Sequence, residues 1–192
     1  SGKNISGATI NRYRAALSHV FRTALKWDWI HENPLDRVDR QPEGNGRIKC
    51  LSLEEIKRLR MACRESRCTH LELIFLIAIC TGMRKGEILG LTFESLDLTR
   101  GYIRLLRTKN GSARSIPISD VLHPYLILAK NTGPKNLLFP SPNNFKKPLC
   151  INTAYTSAVR RAGLTDYTFH DNRHTAASYM AKNGTSLLLQ KH

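Results

Sequence analysis

The chain has 192 residues, 41% of them hydrophobic, enough to build a sizeable core and to exclude a disordered chain. Thirty Lys and Arg against fifteen Asp and Glu leave a formal charge of +15, which points to a polyanionic partner, either nucleic acid or an anionic membrane. The longest apolar run, Leu71 to Cys80, is about half the length that spans a bilayer and contains Glu72, so a membrane-spanning chain is not expected.

In chain order, the N-terminal SGKNISGATI has no secretory apolar region, and no signal peptide is read there. Ile10, Tyr13, Leu17, Phe21, Ala24 and Leu25 recur at helical spacing and predict an amphipathic helix over 9–31, stopped by Asn33-Pro34. A lone helix cannot bury its own stripe, so it either packs on the rest of the chain or closes a domain that lies upstream. Residues 36–49 are polar and read as a linker. Two capping boxes follow: Ser52 to Glu55 opens a helix to about Cys63, and Thr69 to Glu72 opens the apolar one to Cys80. That second helix is apolar nearly all round and should be central.

Thr81-Gly82 ends it, and Lys85 to Leu91 turns into a short helix. Segments 102–108 and 114–118 flank Asn110-Gly111, a hairpin signal. Helices are expected over 120–130, 151–162 and 170–182, with 131–150, which holds four prolines, as loop. The expected class is α+β, mostly α-helical, with a small antiparallel sheet. The five cysteines (50, 63, 68, 80 and 150) lack zinc-type pairing and read as reduced thiols.

Three basic clusters stand far apart in sequence. Arg84 and Lys85 follow the glycine break after the apolar helix, with Glu87 three positions on. Arg100, Arg104, Arg107, Lys109 and Arg114 load the hairpin without an acid over residues 98–115. His170 and Arg173, one helical step apart, share a face. Each alone has an ordinary explanation: a local ion pair, a solvated surface or sequence-blind DNA contact, a chance spacing. Their order on a chain this basic argues for a site.

TGMRKGEILGL, TKNGSARSIPI and FHDNRHTAAS resemble the three signature boxes of the tyrosine recombinases, or phage-type integrases, over about residues 47–190. The resemblance implies the tyrosine-recombinase catalytic fold over 43–192, preceded over 1–42 by the last helix of a core-binding, DNA-clamping domain and the start of a linker. It implies site-specific cleavage and rejoining of double-stranded DNA through a 3′-phosphotyrosine, with neither metal nor nucleotide cofactor. Arg84 and Arg173 match the two phosphate-holding arginines, Lys109 the acid for the leaving 5′-oxygen, and His170 the general acid/base. Glu87 matches a supporting residue beside Arg84. Arg104, Arg107, Thr108 and Arg114 are expected at DNA.

His192 matches a second histidine of the family, a few residues early in spacing. No tyrosine falls at the nucleophile position, and Asn172 stands where the family more often has leucine. Two alternatives remain open: a type IB topoisomerase, and a DNA-binding integrase remnant that never cleaves. The family further implies a tetramer on paired sites for the parent protein, a monomer for this chain alone, no membrane, and the cytoplasm of a bacterial or phage-infected cell.

Overall fold

The computed structural model describes residues 5–43, 49–105, 113–132 and 136–183. The chain divides into two compact units, Ser1–Arg47 and Ile48–His192.

In the first unit, α1 (Gly7–Lys26) starts at Ser6, whose hydroxyl accepts from the Thr9 amide at 3.3 Å. It ends earlier than the Asn33-Pro34 signal implied, because Asp28 takes the left-handed conformation at φ 54°. Pro34 instead opens a short 3-10 turn, Pro34–Arg37, whose first amide Asn33 caps. Asn11 exchanges hydrogen bonds with the Gln41 backbone, and Arg14 donates to the Val38 and Leu35 carbonyls, so the exit segment lies along α1. The first half of the apolar stripe stays open, with Ile10, Tyr13 and Leu17 exposed, whereas Phe21, Ala24 and Leu25 are half-buried.

The second unit is built around α3 (Leu71–Thr81), in which eight consecutive or near-consecutive side chains from Leu71 to Cys80 are buried. Against it pack α2 (Leu53–Arg64) and α7 (Asp171–Asn183), with α6 (Asn152–Arg161) on α2. The Ser52–Glu55 box forms with both of its hydrogen bonds. The expected Thr69 box does not: His70 precedes α3 without a side-chain cap, and the Leu71 amide is taken by the Cys68 carbonyl. Tertiary burial of a helix apolar on nearly every face makes a strong cap unnecessary.

After the short α4 (Lys85–Leu89), β1 (Leu96–Asp97), β2 (Tyr102–Leu105) and β3 (Arg114–Pro117) form an antiparallel sheet in that order. Ile103 opposite Ile116 turns its apolar face to the core, and Leu105 opposite Arg114 is the last described pair of the hairpin. The hairpin tip, 106–112, lies outside the described residues.

The segment 131–150 is not all loop. After α5 (His123–Thr132), β4 (Pro140–Ser141) and β5 (Asn144–Pro148) pair antiparallel, Pro140 opposite Pro148. Proline masked this ribbon from sequence reasoning, yet an edge ribbon with its amide side in solvent tolerates it.

Candidate active site

The site begins with the end of α3. Gly82 closes the helix in the left-handed conformation at φ 63°, which a side chain would strain. The chain then passes through buried Met83 to Arg84, the residue preceding α4, whose backbone is extended. Glu87 fastens this turn. Its carboxylate accepts the Arg84 amide at 2.8 Å and the Arg84 guanidinium at 3.2 Å. Arg84 is left half-exposed, at 48%, while the Glu87 side chain is only 11% exposed.

From the far end of the chain, α7 brings Arg173 to the same place. Arg173 Nη1 donates to the Gly82 carbonyl at 2.5 Å, across 91 positions of sequence, so its guanidinium sits two residues from Arg84 along the backbone. His170 sits at the turn that opens α7. Asp171 closes that turn by accepting from the Thr168 amide and hydroxyl, both at 2.7 Å. The His170 ring is exposed and meets His174 edge-on at 5.1 Å.

The sequence anomaly at Asn172 resolves into a buried polar network. Asn172 is fully buried, accepts from the Tyr155 and Tyr167 hydroxyls at 3.1 Å, and donates to the Phe169 carbonyl at 3.0 Å. Tyr167 also meets the Thr175 hydroxyl, which accepts the Leu51 amide. The network ties α7, immediately beside Arg173, to α6 and to the entry of the unit. We expect Asn172→Leu to lose about 1–3 kcal/mol, since Tyr155 would keep a buried hydroxyl without its partner. Urea denaturation checks this, and Tyr155→Phe in the same chain should recover part of the loss.

Two of the described hairpin arginines, Arg104 and Arg114, stand in ion pairs. Arg114 Nη2 lies 2.7 Å from Glu87, and Arg104 pairs with Asp97. Burial alone would raise the Glu87 carboxyl, but the Arg84 amide and the Arg114 and Arg84 charges outweigh it and hold the group below the ordinary carboxylate range. Sequence reasoning placed Glu87 beside Arg84 but missed Arg114 as its second partner. Nothing local signals a contact 27 positions apart.

The Phage integrase family model matches residues 49–191. The chain belongs to the phage integrase family.

It is 33% identical to the shufflon-specific DNA recombinase of Escherichia coli over 96% of this chain and 47% of that protein. It is 29% identical to the integrase of Salmonella phage P22 over 94% of this chain and 49% of that protein. The chain thus spans about half the length of the curated relatives it matches. Among solved structures, the catalytic domain of bacteriophage HP1 integrase is 29% identical with a TM-score of 0.58, covering 74% of this chain and 77% of that one. The fold also matches the Tn1549 transposon integrase in complex with circular intermediate DNA, with a TM-score of 0.78 at 21% identity over 95% and 69% of the two chains. Lambda integrase, as a dimer bound to a COC′ core site, gives 0.74 at 22% over 92% and 68%.

Of the residues the integrase resemblance singled out, Arg84, Glu87, Arg104, Arg114, His170 and Arg173 are described. Arg107, Thr108, Lys109 and His192 lie outside the described residues. Arg173 reaches the Gly82 carbonyl, two residues before Arg84, and Arg84 in turn pairs with Glu87. A groove of about 1420 Å³ between the α2–α3 turn, α5, the β4–β5 ribbon and α6 is lined by none of them. Among the described residues no helix is long and apolar enough to cross a membrane, and no group of His, Cys, Asp or Glu is arranged to hold a metal ion.

Proposed function

We propose that the complete protein is a site-specific tyrosine recombinase that cuts and rejoins double-stranded DNA through a 3′-phosphotyrosine. The observation that carries this reading is Arg173 held against the Gly82 carbonyl, two residues from Arg84 along the chain. Two guanidiniums that never lose their charge suit a phosphodiester whose non-bridging oxygens gain negative charge under attack. In the reaction a tyrosine hydroxyl attacks phosphorus, the bond from phosphorus to the 5′-oxygen breaks, and the DNA 3′ end becomes joined to the tyrosine. Arg84 and Arg173 hold the phosphate. His170 handles the phenolic proton or orients the phosphate, and Lys109 gives the 5′-oxygen its proton. His192 serves as the second histidine. Arg107 and Thr108 contact DNA from the hairpin, with Arg104 at its base.

The DNA partner is supported by the charge of +15 and by relatives whose structures hold core-site or circular-intermediate DNA. The shufflon recombinase and phage integrases among the relatives support strand exchange at defined sites. Residues 1–42 act as part of the DNA clamp, and the complete protein works as a tetramer on paired sites in the cytoplasm, whereas the isolated chain is a monomer. The complete protein should exchange strands between two copies of its own site on a plasmid and leave a supercoiled plasmid without sites unrelaxed. Relaxation of the site-free plasmid would instead assign it to the type IB topoisomerases.

A further inference from the structure

Arg84, Glu87 and Arg114 form one cluster of two cations and one carboxylate. Glu87 Oε2 takes both the Arg84 amide, at 2.8 Å, and Arg114 Nη2, at 2.7 Å, while Oε1 takes Arg84 Nη1 at 3.2 Å. The net charge of the cluster is therefore one positive unit. Without Arg114 it would be zero, because Glu87 alone cancels the Arg84 guanidinium at short range. A carboxylate whose side chain is only 11% exposed is poorly screened by water, so that cancellation would be felt at the phosphate.

The orientation of Arg114 fits support better than contact with DNA. Its Nε is buried without a hydrogen-bond partner, and one amino nitrogen is committed to Glu87. The inner edge of this guanidinium thus faces protein. Arg114 also opens β3, opposite Leu105 in the last described pair of the hairpin, so the same ion pair pins the sheet to the turn that carries Arg84.

We infer that Arg114 is a positioning residue for strand cleavage: it neutralises and holds Glu87, which leaves the charge of Arg84 available to the scissile phosphate. This rests on the assignment of Arg84 as a phosphate-holding arginine. It replaces the expected role of Arg114 as a DNA contact.

The test is a double-mutant cycle in the complete protein, read as the single-turnover cleavage rate on a nicked site duplex. Arg114→Ala should slow cleavage about tenfold or more, because it leaves Glu87 uncompensated against Arg84. Glu87→Gln introduced into that variant should restore most of the rate, since the amide still accepts the Arg84 N–H but carries no charge. Arg114→Lys should keep most of the activity. A purely structural role would not be relieved by removing a second charge.

DNA binding supplies the second readout. The slope of log affinity against log salt should be unchanged by Arg114→Ala, whereas loss of a phosphate contact would lower it by about 0.9. Should the alanine variant melt below the assay temperature, Arg114→Gln takes its place in the same cycle. No slowing, slowing that Glu87→Gln fails to relieve, or a reduced salt slope each overturns the inference. Arg84→Ala runs alongside: wild-type cleavage by that variant would sink the site assignment itself, while its loss together with a failed cycle sinks only the role of Arg114.

Discussion

Arg84→Ala or Arg173→Ala in the complete protein is expected to lower the rate of strand cleavage by about 10²–10³-fold, as loss of one preorganised charge donor does elsewhere. Binding of site DNA should be largely retained, because affinity for duplex is spread over many phosphate contacts. The two variants should differ in stability. Arg84 is 48% exposed beside its own Glu87, so its loss leaves the core alone. Arg173 donates to the Gly82 carbonyl at the junction of α3 and α7, so its loss also removes a tertiary hydrogen bond and should lower the melting temperature.

Lys109→Ala should be equally slow on natural DNA but should recover on a substrate whose 5′-bridging oxygen is sulfur, which departs without a proton. The arginine variants should not recover on it, since they lack charge at the phosphate and not an acid at the leaving group. Cleavage at the native rate by Arg84→Ala or Arg173→Ala would refute the site, and an unrescued Lys109→Ala would remove Lys109 from its role.

The second large effect concerns the isolated chain of 192 residues, which should form no covalent adduct with a nicked suicide duplex. Attack requires a hydroxyl in line with the leaving oxygen. Four of the six tyrosines are committed to hydrogen bonds within the second unit. Tyr155 and Tyr167 are buried on Asn172, and burial pushes both hydroxyls well above the ordinary phenol range. Tyr179 donates to the Leu51 carbonyl, and Tyr125 accepts from Arg60 at 2.6 Å. Tyr102 lies at the start of β2, opposite Pro117. The complete protein should give a retarded band on a denaturing gel, lost when its nucleophilic tyrosine is changed to Phe. A retarded band from the isolated chain would overturn this account, and peptide mapping would identify the tyrosine responsible.

The sequence alone determined a good deal. The run from Leu71 to Cys80, apolar but for Glu72, has to be central because it has no broad face to show to water, and it is. Ser52 and Glu55 cap α2 because both hydrogen bonds close within four residues, and the segments flanking Asn110-Gly111 do pair as strands. The order of the three boxes pointed to the family, since such strings survive in the linear chain. Local signals failed where tertiary burial or solvent decided: the Thr69 box did not form ahead of a helix already held by its core, and two prolines face one another across an edge ribbon.

Only the tertiary structure decided the rest. Arg173 meets Gly82 across 91 positions, and Arg114 meets Glu87 across 27. Asn172 is an anomaly in the string but the centre of a satisfied network in the fold. Periodicity and capping are short-range properties that a sequence states outright. Which cation neutralises which carboxylate depends on how α4, α7 and the hairpin pack, and no window of sequence contains that.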